Sequence, residues 1–227
     1  MIAAWPCPDA ADPTGGTLPE YALQLDSGRK LRLLIVPALF DEANRMRRLT
    51  VEVMRRLDLA GIDCLLPDLP GCNESLQSLS SVTLDNWSSA MVAACRHFGA
   101  THVLTVRGGA LVAPQALPGW RYAPVGGAVI LRHMLRMRIL ASREAGVEET
   151  QLGLLATGRQ QGLNLAGYPL SAAMIASLEH AEPPASSQTI IGQDLIGGSP
   201  LWLRAEPDED RAQADALAAI VAVGMRA

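Results

Sequence analysis

Lysine is nearly missing from this chain: Lys30 stands alone, and the other basic residues are all arginine. Aromatic residues make up 4%, cysteines number four, and the balance of 19 Lys+Arg against 23 Asp+Glu leaves a net charge of −4. Each shortage excludes something. Without an excess of positive charge there is no broad surface to displace counterions from phosphates, which argues against nucleic acid as a partner. The best apolar runs, 31–40 and 216–225, fall well short of the roughly 20 residues that span a bilayer, so no integral membrane segment is expected. The opening MIAAWPCPDAADPTGG lacks the basic start and apolar middle of a signal peptide and reads as an irregular arm over 1–18. Cys7, Cys64, Cys72 and Cys95 show neither C-x-x-C nor metal-ligand spacing. They read as separate thiols in a reducing compartment, the cytoplasm being the simplest, with no metal and no cofactor implied.

What is abundant is apolar: 49% of the 227 residues. That is too hydrophobic for disorder and enough for a sizeable core. Segments 31–36, 62–66 and 101–106 are short apolar runs closed by turn residues, as in buried strands. Between them, 45–59 carries helical spacing ended by Gly61, and 83–98 a helix with Thr83 as N-cap and Gly99 as stop. A Gly-Gly turn and a helix to about residue 117 follow. The alternation predicts a parallel sheet wound on both faces. Farther on, 119–125, 189–192 and 201–205 read as strands, 127–143, 148–162 and 208–225 as helices, and Pro169 as the start of a helix running to about His180. The expected organisation is one domain over 1–227 with a helical cap inserted at 126–184.

In such a sheet, ligands sit beyond the carboxyl ends of the strands. Three loops fall there: PALFDEANRMRR, PDLPGCNES and TVRGGA. With the D-x-x-G-x-x-x-S loop of Asp68, Gly71 and Ser75 and the glycine-rich turn after the third run, the chain resembles the α/β-hydrolases. Within that fold, LLIVPALFDEANRMRR, LPDLPGCNES, YAPVGGAVILRHMLRMRIL and AGYPLS are similar to the exosortase A system-associated hydrolase 2 family, over roughly residues 31–178. The resemblance implies an α/β-hydrolase fold, here without its final strand, and a place in exopolysaccharide production and export-linked protein sorting.

Hydrolysis in this fold needs a G-x-S-x-G nucleophile elbow. Here the turn reads Thr105-Val106-Arg107-Gly108-Gly109, and a guanidinium, always protonated, cannot attack a carbonyl. Asp208 is the positional match for the triad acid, yet no histidine follows it; His97, His102, His133 and His180 all precede it. The Ser-His-Asp triad is therefore incomplete. Cys72 is an alternative nucleophile for an ester or thioester hydrolase if a neighbouring charge such as Arg107 lowers its pKa. The competing reading is a packed loop cysteine; Ser75 and Ser199 read as turn or cap residues, and Trp120 and Tyr122 as core or pocket wall.

Two readings of Arg107 stay open. At a helix N-terminus its fork matches an anion, so that Arg107, Gly108, Leu39, Phe40, Glu42 and Asn44 form a ligand site for an anionic or acylated small molecule. Alternatively it pairs internally with Asp41 or Glu42. A second cluster, Arg132, Arg136 and Arg143 with His133 and Arg138 beside them, shares a helical face of the cap. It reads either as a solvated face with scattered ion pairs or as a face that overlooks the pocket and meets an anionic glycan, a lipid headgroup, an acidic partner or another copy of the chain.

Overall fold

The computed structural model describes residues 1–12 and 14–227. Its strands are β1 (Ile2–Pro8), β2 (Thr17–Leu25), β3 (Arg32–Val36), β4 (Asp63–Pro67), β5 (His102–Val106), β6 (Gly119–Tyr122), β7 (Leu163–Leu165), β8 (Tyr168–Leu170) and β9 (Thr189–Ile191). The helices are α1 (Asp41–Leu59), α2 (Leu84–His97), α3 (Gly127–Glu144), α4 (Gln151–Gln161), α5 (Ala172–His180), α6 (Gln193–Ile196) and α7 (Arg211–Gly224). Seven strands form one sheet in the order β1-β2-β4-β3-β5-β6-β9, antiparallel at β1, β2 and β4 and parallel from β4 to β9. Strands β7 and β8 form a separate hairpin.

The central strands are buried on both faces, which is why 31–36 reads as one apolar run rather than an alternation. Leu33 and Ile35 pack with Met46, Leu49 and Val53 of α1 and Leu217 and Val221 of α7. Leu34 and Val36 point into the opposite layer, with Trp87 and Met91 of α2 and Met134 of α3. Helix α2 starts where the sequence placed it: Thr83 and Asn86 form a reciprocal capping box. Between β6 and β9 the chain makes α3, α4, the β7–β8 hairpin and α5.

Several expectations are corrected. The first residues are not an irregular arm: β1 pairs with β2 along its whole length, burying Trp5 and Cys7. Alternating exposure along β1 marks an edge strand whose few inward residues are spread among Pro and Ala. Pro169 lies inside β8 and starts no helix; Ser171 caps α5 by accepting from Met174 N at 3.0 Å. The run 201–205 is not a strand, and only a 3₁₀ turn, Leu201–Leu203, forms there. Leu201 and Trp202 are apolar because they cap the core over α1, not because they join the sheet.

Candidate functional site

The loops after β3, β4, β5 and β6 meet at one end of the sheet. The turn after β5 keeps the strained elbow: Arg107 has φ 52°, a conformation unfavourable for any residue with a Cβ. Gly109 explains how the turn fits. A Cβ there would lie 2.4 Å from the Pro37 carbonyl oxygen and 2.8 Å from that of Val36. Gly109→Ala is expected to lose about 2 kcal/mol of stability by overpacking, read as a lowered urea midpoint; an unchanged midpoint would show that the elbow yields freely.

The helix expected to 117 is absent. Residues Arg107–Leu111 form a single 3₁₀ turn, so no helix dipole supports an anion there. The Arg107 guanidinium is instead spent inside the protein. Its Nε and Nη2 donate to Oε2 and Oε1 of Glu42, both at 3.0 Å, and its Nη1 donates to the Ala123 carbonyl after β6, also at 3.0 Å. The cation also sits 4.0 Å from the centre of the Trp202 ring. Of the two acids in the first turn of α1, Glu42 takes Arg107 and Asp41 takes Arg45 at 2.5 Å. The internal ion pair is the arrangement found. Beside it, a Cβ on Gly108 would meet Ile130 Cδ1 at 2.5 Å and Leu39 Cγ at 3.1 Å, so the space above the elbow is filled with hydrocarbon.

The other catalytic candidates are scattered. Asp208 follows no strand; it pairs with Arg204 and accepts the Glu209 N–H. After the last strand, β9, Gln193 accepts the Tyr122 hydroxyl at 2.5 Å through its Oε1, and the acid beside it, Asp194, is exposed. His102 begins β5, at the opposite end from the elbow, and stacks on Trp120. His97 ends α2 beside Trp5, His133 is on α3, and His180 ends α5. Among the described residues, none of the four hydrogen-bonds to Arg107 or Cys72. The Cys72 thiol is pushed up to about 12 by burial and by the carboxylates of Asp68 and Glu20. It stays protonated at neutral pH, contrary to what activation by Arg107 required. Ser75 is a loop staple: its Oγ accepts from Gly71 N at 2.8 Å and donates to Glu20 Oε1 at 2.5 Å.

An open cavity does exist, but beside the elbow region rather than on Arg107. About 210 Å³ in size, it lies between α1 and the β4–α2 loop. Phe40, Met46, Leu66, Leu69 and Tyr168 supply apolar wall, and Cys72 completes it. Phe40, itself at φ 54°, is set by edge contact with Tyr168 at 5.5 Å and by Trp87 at 5.2 Å. Asn44, Arg47 and Asn73 line both this cavity and a wider open groove of about 1070 Å³. In that groove Arg47 meets Asp68 at 3.2 Å, and Asn73 Nδ2 donates to the same oxygen at 2.5 Å. Of the six expected ligand residues, Phe40 and Asn44 line the cavity, whereas Arg107, Gly108, Leu39 and Glu42 do not. Arg47 was legible only as part of the basic RMRR run, since nothing in its spacing distinguishes it from its neighbours. No group of His, Cys, Asp and Glu among the described residues is arranged to hold a metal, and no helix is long and apolar enough to cross a membrane.

No protein-family model matches the chain, and no curated protein does. Solved structures do. Mouse alpha/beta hydrolase domain-containing protein 10 superimposes with a TM-score of 0.58 at 11% identity, covering 100% of this chain and 98% of that one. Est1E from Butyrivibrio proteoclasticus, solved with ferulic acid bound, gives 0.51 at 14% identity over 78% and 76%. With the strand order and the elbow at Arg107, these likenesses establish that the chain has the α/β-hydrolase fold.

Proposed function

We propose that this chain is a non-hydrolytic α/β-hydrolase-fold protein that binds a small amphiphile, an acylated or aryl molecule with an anionic head, in the cavity between α1 and the β4–α2 loop. One observation carries the reading: the guanidinium at the nucleophile position is held by both oxygens of Glu42, which leaves neither a nucleophile nor a free anion hook at the elbow. The apolar end of the ligand lies against Phe40, Leu69 and Tyr168. Its head reaches Asn44 and Arg47, where an anion competes with Asp68 for the guanidinium. The likeness of LLIVPALFDEANRMRR (33–48), LPDLPGCNES (66–75), YAPVGGAVILRHMLRMRIL (122–140) and AGYPLS (166–171) to the exosortase A system-associated hydrolase 2 family supports a place in exopolysaccharide production and export-linked sorting.

A thermal-shift titration with octanoate and ferulate tests the site. At ten times Kd, a bound ligand is expected to add about 1.4 kcal/mol of stability. Ala43→Phe, which fills the cavity from α1, is expected to remove the shift, and Arg47→Ala to weaken binding about fivefold. A shift that survives Ala43→Phe, or no shift with either ligand up to 10 mM (about the weak limit of a useful site), overturns the assignment.

A further inference from the structure

The outward face of α3 carries a stripe that the cavity does not use. Val129, Arg132, Arg136, Leu140 and Arg143 follow one another at steps of three or four, so they lie on one side of the helix, and all five are exposed. Leu140 is 56% exposed and Val129 47%, with Met137 at 40% alongside. The inward face is fixed by Ile130, Leu131, Met134 and Leu135, so the stripe is a rigid display. Most arginines of this chain are held by a carboxylate; Arg138 of the same helix, for example, is bound by Glu149 at 2.9 Å. Among the described residues, Arg132, Arg136 and Arg143 make no ion pair, although the chain as a whole is acidic. Glu144 is the one acid of α3, at its last residue.

We infer that this face of α3 rests on an anionic lipid surface, with the three guanidiniums on headgroup phosphates and Leu140, Val129 and Met137 in the outer acyl boundary. Charge complementarity selects this occupant. A second copy applied symmetrically would gather the arginines of both stripes in one interface with no acid on the stripe to answer them. An acidic protein surface would answer the arginines but leave the leucine and valine between them unmatched, whereas a lipid interface accepts both kinds of side chain at once. With a net charge of −4, the rest of the molecule is repelled by such a surface, which fixes the orientation as well as the contact. The inference is independent of the cavity, because none of these residues lines it.

Co-sedimentation with vesicles of phosphatidylcholine, with and without phosphatidylglycerol, tests it. The full chain is expected to pellet with the mixed vesicles and not with phosphatidylcholine alone, and to be released by high salt. The triple charge reversal Arg132→Glu, Arg136→Glu, Arg143→Glu is expected to weaken partitioning by about a hundredfold. Leu140→Ser should leave the preference for anionic vesicles in place and weaken binding several-fold. All four positions are exposed, so an unchanged circular dichroism spectrum accompanies these losses. Absence of binding, equal binding to both vesicle types, or a triple variant that still pellets overturns the inference. So does a triple variant that changes only the elution volume in size-exclusion chromatography, which would assign the face to a second copy.

Discussion

Arg107→Ala is expected to lower the free energy of unfolding by about 3 kcal/mol, a large effect for one residue at the former nucleophile position. The reason lies in what truncation leaves behind. The Glu42 side chain is only 14% exposed, so without its partner its charge is left largely out of water. The Ala123 carbonyl loses its donor and the Trp202 ring its cation. Much of the loss is thus the cost of a stranded charge, not the net worth of the pair. The double variant Arg107→Met, Glu42→Leu, which removes both charges and keeps the volume, is accordingly expected to recover most of it. Urea denaturation of the wild type, Arg107→Met, Glu42→Leu and the double variant closes the cycle. An arginine kept for an exchangeable ligand would give less than about 0.5 kcal/mol on truncation and no coupling to Glu42.

The sheet was largely legible because its parallel strands are buried on both faces and so stand out as apolar runs between turn residues. The edge was not. Strand β1 buries only Trp5 and Cys7, separated by Pro6 and preceded by Ala3 and Ala4, and nothing in that pattern distinguishes it from an arm. The run 201–205 failed in the opposite direction: an apolar stretch that covers a core end looks the same as one that joins a sheet. At the site, the elbow is legible as the Thr105–Gly109 turn, and of the two acids weighed as partners for Arg107 the structure pairs Glu42 with it and Asp41 with Arg45; the Ala123 carbonyl and the Trp202 ring had no signal. The sequence could not decide between ion pair and ligand hook, because that depends on whether the chain after Gly109 continues as a helix. It does not; the 3₁₀ turn ends at Leu111, and the anion-favouring dipole is missing. Asp208 was misplaced with the strand that was to carry it. Cys72 lines a cavity beside the elbow rather than at it, and its charged surroundings are acidic rather than basic.

Restoring the missing hydroxyl is expected to restore nothing. Arg107→Ser places an oxygen on the elbow, but among the described residues no histidine hydrogen-bonds to that position, and Asp208 is paired with Arg204. Leu39 and Ile130 also remain packed against Gly108, where an acyl group would have to enter. An esterase of this fold accelerates its reaction by 10⁶-fold or more; the difference between a working and a silent site is therefore far outside experimental scatter. On the proposed reading the wild type is expected to be silent as well, because burial and the carboxylates of Asp68 and Glu20 push the Cys72 thiol up to about 12, away from the thiolate a nucleophile needs. The most direct measurement is hydrolysis of p-nitrophenyl acetate, butyrate and octanoate by the wild type, Cys72→Ala and Arg107→Ser at equal concentration. The account predicts the buffer rate for all three proteins. Turnover by the wild type that disappears in Cys72→Ala would contradict it.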